Sequence, residues 1–206
     1  MALMGAIGCR SLAGSPSSAA SPTAAATSLK HSHRPLRGLV PDDPPGQLPG
    51  NRHGGLGVAD GEVPDGVTAF DDGYPAVSKL DPALLSALRS AATDASDHGV
   101  EIHVNSGWRS EKYQQRLFEQ AVSKYGSEAK ATPWVARPGT SVHEAGGAVD
   151  LGPDDATAWL SEHGAAYGLC QIYANESWHY ELRPDAVDHG CPATYANATD
   201  DPRLHQ

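Results

Sequence analysis

Positive charge is scarce in this chain of 206 residues, which carries 15 Lys and Arg against 25 Asp and Glu and has a formal net charge of −10. Nucleic acids and anionic membrane surfaces select for an excess of basic residues, so we expect neither of them as the main partner. Long apolar runs are also missing. Because a membrane-spanning helix needs about 18 or more consecutive apolar residues, we expect no transmembrane segment.

Large apolar residues are rare in the first 73 residues, where Ser, Ala, Pro and Gly predominate, as in GSPSSAASPTAAATS. Such a segment cannot bury enough surface to offset the entropy that it loses on ordering. We therefore predict a disordered, low-complexity region over 1–73, a folded domain over 74–192 and a flexible polar tail over 193–206. Nothing in the sequence calls for more than a monomer.

Cysteine is rare as well, with three in the chain. The apolar start MALMGAIGC is similar to the end of a bacterial lipoprotein signal, which predicts a truncated export signal with a lipid anchor at Cys9. The basic part of such a signal is missing, so an accidental likeness is the alternative. In an exported protein, Cys170 and Cys191 are expected to form a disulfide. In a cytosolic protein they would instead be two buried free thiols.

Hydrophobic periodicity predicts both helices and strands in the folded part. One helix begins at Asp81 and Pro82, an N-cap followed by proline at the first helical position, and ends at Gly99. The other predicted elements are helices over 110–126 and 154–168, a loop over 127–141, and strands over 101–107, 148–152, 169–175 and 177–183. This order predicts an α+β domain with a small antiparallel sheet flanked by helices.

Two histidines and an aspartate stand close to glycines and turns, in SVHEAGGAVD and NESWHYEL. Two imidazoles and one carboxylate are suitable zinc ligands and leave a fourth position open, as in catalytic zinc sites. We therefore predict that His143, Asp150 and His179 hold one Zn²⁺ ion. Glu176 would lie near the ion without binding it and would take the proton of the zinc-bound water.

An alternative interpretation of these residues needs no metal. His143 would then cap a loop and Asp150 would begin a helix. His179 would be an edge-strand histidine whose hydrogen bonds are satisfied. The spacing of the residues does not decide between the two interpretations.

Four blocks of sequence give a more specific pattern, and they occur in one order along the chain. They are SGWRSEKYQ (106–114), ARPGTS (136–141), Ser-x-His-x-x-Gly-x-Ala-x-Asp (141–150) and Glu-x-Trp-His (176–179). Together they resemble the VanY-type D,D-carboxypeptidases, in the zinc peptidase group that also includes VanX-like dipeptidases. The resemblance covers roughly Tyr74 to Leu182. It implies the fold shared by hedgehog domains and D,D-peptidases, a small antiparallel sheet with helices around it.

The resemblance also implies roles for single residues. In it, His143, Asp150 and His179 match the zinc ligands and Glu176 matches the catalytic base. Arg109 matches an arginine that faces the substrate, where its guanidinium would bind a carbonyl, a developing oxyanion or a terminal carboxylate.

Two further positions match the family's blocks. Gln114 and Ser141 are candidates for holding the free carboxylate of the substrate. Each of the three candidate substrate contacts also has a structural alternative: Arg109 could brace the sheet, Gln114 could be a solvated helix residue, and Ser141 could be a turn residue.

The implied function is that of a bacterial, extracytoplasmic enzyme, secreted or associated with the cell envelope. It would be a zinc-dependent D,D-carboxypeptidase that removes the terminal D-Ala from peptidoglycan stem peptides. Enzyme alternatives are a peptidoglycan endopeptidase that cuts L-Ala-D-Glu or a cross-bridge, and a D-Ala-D-Ala dipeptidase. A zinc-containing, non-catalytic binding module is the alternative of another class. Substrate choice is expected to depend on the rim loops 126–141 and 183–192.

Overall fold

The structure is a computed structural model that describes residues 55–205. Within that range the helices are α1 (Pro75–Ser78), α2 (Pro82–Asp97), α3 (Glu111–Tyr125), α4 (Glu128–Ala131), α5 (Asp154–His163) and α6 (Ala186–His189). The strands are β1 (His103–Ser106), β2 (Ala148–Gly152), β3 (Leu169–Gln171) and β4 (His179–Leu182). The predicted export signal and the anchor at Cys9 lie outside the described residues.

The four strands form one antiparallel sheet in the order β1-β2-β4-β3. This confirms the predicted α+β class with a small antiparallel sheet. In the pairing of β2 with β4, Asp150 lies opposite His179 and Ala148 lies opposite Glu181. All five residues of β2 are buried, as expected for a strand inside a sheet. The register therefore places two of the predicted ligands side by side.

The longest helix forms as its sequence predicts. The Asp81 carboxylate accepts hydrogen bonds from the backbone N–H groups of Ala83 and Leu84, at 2.8 and 3.2 Å. Pro82 needs no such partner, because it has no N–H group. The buried side of α2 consists of residues at helical spacing, namely Leu84, Leu88, Ala91, Ala92 and Ala95.

The main core occupies one face of the sheet and leaves the other face for polar chemistry. Val149, Leu151 and Tyr180 belong to a buried cluster with the apolar side of α2 and with Ala156 and Leu160 of α5. Side chains alternate between the two faces along a strand. Asp150 lies between Val149 and Leu151 in β2, and His179 and Glu181 lie on either side of Tyr180 in β4. The side chains of Asp150, His179 and Glu181 therefore project from the opposite face.

The packed part of the chain extends beyond the predicted boundaries of 74–192 at both ends. Before it, Val67 and Ala69 are buried in the main cluster. After it, Ala198 and Asp201 are buried, although we predicted a flexible tail there. The tail is fixed by both apolar and charged contacts with distant parts of the chain: Ala198 and Leu204 pack with Ile172 and Tyr173, and Arg203 pairs with Glu181.

Four predicted elements also differ from those in the structure. The predicted loop 127–141 contains the short helix α4. The predicted helix 154–168 is α5 followed by a 3-10 turn, Gly164–Tyr167, and the predicted strands 169–175 and 177–183 shrink to β3 and β4.

A disulfide joins Cys170 in β3 to Cys191 just after α6, with Cα atoms 5.5 Å apart. Cys170 is fully buried. The bridge closes a loop that contains the turn with Glu176, all of β4 with His179, and α6. Among residues 55–205, no helix is both long enough and apolar enough to cross a membrane.

Candidate metal centre

The three predicted metal ligands meet at one point. His143 Nε2 lies 3.3 Å from His179 Nδ1 and 3.4 Å from Asp150 Oδ1, and the latter two atoms are 3.3 Å apart. All three side chains are buried. The sheet register supplies Asp150 and His179, and a 3-10 turn, Val142–Ala145, supplies His143.

This triangle of donor atoms has the size that a tetrahedral zinc ion needs. Zinc binds nitrogen and oxygen at about 2.0–2.2 Å, which at a tetrahedral angle puts two ligand atoms about 3.3–3.6 Å apart. The three observed separations of 3.3–3.4 Å agree with that spacing. Two imidazoles and a carboxylate on three corners leave the fourth corner for a substrate or water.

Hydrogen bonds on the far side of each imidazole orient its lone pair toward the triangle. His143 Nδ1 lies 2.9 Å from the carbonyl oxygen of Gly107, and His179 Nε2 lies 3.3 Å from Glu181 Oε1. Only an N–H can donate to these oxygens, so the opposite ring nitrogens are the free acceptors. Two lone pairs and a carboxylate oxygen that converge in a buried site form a binding site for a cation.

The electrostatic field at the triangle favours positive charge near His179. Burial lowers the pKa of His179, but hydrogen bonds to Asp150 and Glu181 outweigh burial and raise it to about 10. Burial and the nearby Arg109 guanidinium lower the pKa of His143. The carboxylates that stabilise positive charge on His179 would also stabilise a divalent cation at the triangle.

The turn that carries His143 depends on a glycine. Gly146 ends the turn with a φ of +73°, in the left-handed region. A Cβ atom at Gly146 would lie 2.3 Å from the backbone oxygen of Lys79. Glu144 completes the turn by accepting hydrogen bonds from the N–H groups of Ser141 and Gly139, at 3.2 and 3.0 Å. Backbone geometry thus fixes the position of His143.

Arg109 holds the second oxygen of the aspartate ligand. Its Nη2 lies 2.5 Å from Asp150 Oδ2, while its Nε donates to Ser106 Oγ at 2.8 Å. Burial raises the pKa of Asp150, but His143, His179 and Arg109 together hold it below its ordinary value. Asp150 is therefore an ionised carboxylate whose Oδ1 faces the two imidazole nitrogens of the triangle.

Glu176 lies next to the triangle without being part of it. Its Oε2 is 3.8 Å from His179 Nδ1, and the residue is 5% exposed. Burial raises the pKa of Glu176 to about 8. A nearby divalent cation would lower this value. A carboxyl group tuned toward neutral pH can accept a proton and return it, as a general base and acid must.

Comparison with known proteins assigns the chain to a family. The profile of the family VanY, D-alanyl-D-alanine carboxypeptidase, matches residues 77–185, which is more than half of the chain. The chain belongs to the VanY family. The resemblance predicted from the four sequence blocks is therefore confirmed, and the matched segment contains all three candidate ligands and Glu176.

Individual members and structures agree with this assignment. A D-alanyl-D-alanine carboxypeptidase of Enterococcus faecalis (strain ATCC 700802 / V583) is 31% identical over 127 residues, which are 50% of this chain and 46% of that protein. The chain thus spans about half the length of this curated relative. The structure of VanYB in complex with D-alanine-D-alanine is 28% identical, with a TM-score of 0.50, over 54% of this chain and 74% of that chain.

A second solved structure is a vancomycin-resistance D,D-pentapeptidase VanY from a VanB-type cassette, a glutamate-to-alanine mutant in complex with Zn(II). It is 30% identical, with a TM-score of 0.48, and the match covers 50% of this chain and 72% of that chain.

In this VanY-family chain, the candidate substrate contacts occupy different positions. Arg109 and Ser141 line a small cleft beside the triangle, together with Glu176. Gln114 is fully buried behind that cleft, where its Oε1 accepts from Arg109 Nη1 at 3.2 Å and its Nε2 donates to the oxygen of Ala136 at 2.8 Å. Gln114 could contact a substrate directly only if its side chain broke both of these hydrogen bonds.

The cleft has further walls from two segments of the chain. The segment after α4 contributes Trp134, Val135 and Ala136, which lie within the predicted rim loop 126–141. Ala198 and Leu204 come from the C-terminal end, which we had predicted to be a flexible tail. These walls are largely apolar.

The residues that support His179 on its Nε2 side, away from the triangle, were not predicted from the sequence. Glu181 is buried, and its Oε2 accepts from Arg183 Nη2 and Arg203 Nη1, each at 2.7 Å. A signal for Glu181 was present, because two residues that are two positions apart on a predicted strand share a face. The sequence held no comparable signal for Arg203, which reaches Glu181 from a distant turn.

Proposed function

We propose that this chain is a zinc-dependent D,D-carboxypeptidase that removes the terminal D-Ala from peptidoglycan stem peptides. The observation that carries this proposal is the buried triangle of donor atoms, 3.3–3.4 Å on each side, with the Glu176 carboxylate beside it. Support comes from the E. faecalis relative, which is named a D-alanyl-D-alanine carboxypeptidase, and from VanYB, whose structure holds D-alanine-D-alanine.

His143, Asp150 and His179 would hold the zinc ion. Zinc supplies Lewis acidity at this position, since it polarises a peptide carbonyl and makes a water molecule more acidic. Glu176 removes a proton from the attacking water as the new carbon–oxygen bond forms. It then delivers that proton to the nitrogen of the departing D-Ala as the carbon–nitrogen bond breaks.

Arg109 has two roles in this proposal. Its Nη2 fixes Asp150, and its place in the cleft wall lets the guanidinium donate hydrogen bonds to the negative charge that develops on the carbonyl oxygen. Ser141 would contact the terminal carboxylate. Gln114 would act through Arg109, by setting the orientation of the guanidinium group.

We also place the protein outside the cytoplasm. Its proposed substrate is part of the cell wall, and disulfides such as Cys170–Cys191 persist in oxidising compartments.

Digestion of a purified stem pentapeptide ending in D-Ala-D-Ala, followed by mass spectrometry, tests the proposed reaction. We expect the loss of one alanine, and no cleavage of a matched peptide that ends in D-Ala-L-Ala. Loss of two alanines together would instead identify a dipeptidase, and internal cleavage an endopeptidase. A zinc-loaded protein that cuts none of the wall peptides would be a binding module.

A further inference from the structure

We propose that the C-terminal residues 198–205 form a clasp that orients the metal ligand His179, with Arg203 as its positioning residue. This inference rests on the proposed zinc site. The clasp lies beyond residues 77–185, to which the family match is confined. It reaches His179 through two separate chains of contacts that meet at Arg203 and Asp201.

The first chain of contacts passes through Glu181. His179 Nε2 donates to Glu181 Oε1 at 3.3 Å. Arg203 contacts both oxygens of that carboxylate, with Nη1 2.7 Å from Oε2 and Nη2 3.3 Å from Oε1. Two contacts to one carboxylate fix its plane as well as its position. The plane of Glu181 in turn fixes the tautomer and the ring orientation of His179.

The second chain of contacts passes through Tyr173. The Tyr173 hydroxyl donates to Asp201 Oδ2 at 3.0 Å, and Arg203 Nε donates to Asp201 Oδ1 at 2.9 Å. The ring of Tyr173 packs against the ring of His179, with centroids 4.8 Å apart. The clasp therefore restrains the imidazole both at its Nε2–H group and on its face.

The two carboxylates in these contacts are buried and need partners that compensate their charge. Asp201 and Glu181 are 0% and 1% exposed, so each carboxylate depends on its arginine partners for compensation of its charge. Arg183 also contacts Glu181 but has no contact with Asp201 among its hydrogen bonds. Only Arg203 connects the two buried carboxylates in the described part of the chain. The same clasp supplies Ala198 and Leu204 to the cleft wall.

Without Arg203, the Glu181 carboxylate keeps only the contact of Oε2 with Arg183, so its plane can rotate and release the Nε2–H group of His179. The imidazole would then lose the orientation in which Nδ1 faces the triangle. Partners of this kind, one step removed from a metal, change affinity by about 10- to 100-fold when they are replaced.

The test measures zinc affinity by competition with a chromophoric chelator, using the full chain with its disulfide intact. We expect Arg203→Met to weaken zinc binding by about tenfold or more, and Arg203→Lys to fall between it and the wild type. The visible absorption spectrum of bound Co²⁺ should also change, because it reports ligand geometry. Arg89→Met is the matched control, since the Arg89 side chain is about as exposed as that of Arg203 and pairs with Asp72 at 2.5 Å, outside the clasp.

A second variant covers the case in which Arg203→Met does not fold. Tyr173→Phe keeps the ring on His179 and removes only the bond to Asp201, and it should also weaken zinc binding and shift the Co²⁺ spectrum. If these variants fold and bind zinc as tightly as the wild type, with an unchanged Co²⁺ spectrum, the clasp has no positioning role. Failure of the wild type itself to bind zinc would instead overturn the proposed function.

Discussion

Glu176 and Asp150 are both buried carboxylates, but their surroundings shift their pKa values in opposite directions. Burial raises the pKa of both groups. For Asp150 the charges and hydrogen bonds of His143, His179 and Arg109 outweigh burial, whereas for Glu176 burial prevails and gives a pKa of about 8. One carboxylate therefore stays ionised as a ligand, and the other is able to exchange a proton.

Replacement of Glu176 by glutamine separates metal binding from catalysis. Gln has the same shape but cannot take a proton, so Glu176→Gln should keep its zinc and lose about 10²- to 10⁴-fold in kcat. Steady-state kinetics and metal analysis of the same sample would measure both quantities. Glu162→Gln, an exposed glutamate in α5, is the control. A kcat near the wild-type value would remove Glu176 from the role of general base.

The sequence predicted the convergence of the three candidate metal ligands best. The three ligands and Glu176 have side chains whose chemistry is specific, and their blocks match a family pattern. The roles of Gln114 and Glu181 were harder to predict, because they depend on partners that only the folded chain brings near. Gln114 faces Arg109 and Ala136 rather than the cleft, and nothing in its own block indicated this.

At the level of elements, local signals located α2 and α3 well. Asp81 and Ser110 cap these helices through side-chain hydrogen bonds, and such caps are visible in the sequence. The strands were predicted too long, since apolar alternation continues past the residues that pair. The C-terminal turns were missed because they are too short to show apolar periodicity, and the contacts that hold them are to residues distant in sequence.

The turn that presents His143 gives a prediction at this scale. Gly146→Ala should destabilise the fold by about 3 kcal/mol, because it combines a left-handed backbone with a clash against the Lys79 carbonyl. Gly139→Ala is the matched control, since Gly139 has a φ of +80° with open space around it, and should cost about 1 kcal/mol. Urea unfolding of both variants would compare them. Equal losses would show that the close approach at Gly146 is unimportant.

The disulfide gives a second prediction for the elements that it connects. In the chain-entropy view, closing the loop between Cys170 and Cys191 stabilises the fold by about 3 kcal/mol. Urea unfolding with and without a reducing agent should show this difference. Under the same conditions Cys170→Ala/Cys191→Ala should unfold like the reduced protein and should not respond to the reductant. A reductant that leaves wild-type stability unchanged would contradict the prediction.

For the whole molecule, the fold places its apolar core and its polar site on opposite faces of one small sheet. The core on α2 and α5 stabilises the sheet, while the other face collects ligands from β2, β4 and the turn before β2. The fold class was predictable from the order of helices and strands. The extent of the folded part was not, because residues 55–73 and 193–205 pack through contacts that depend on the completed sheet.

The central claim is that His143, Asp150 and His179 together bind one zinc ion, and metal analysis of the purified chain tests it most directly. We predict one zinc per wild-type chain, also one in His163→Ala, whose altered histidine is exposed on α5, and almost none in His143→Ala. A wild-type chain that binds no zinc, or a His143→Ala chain that retains one equivalent, would contradict the account.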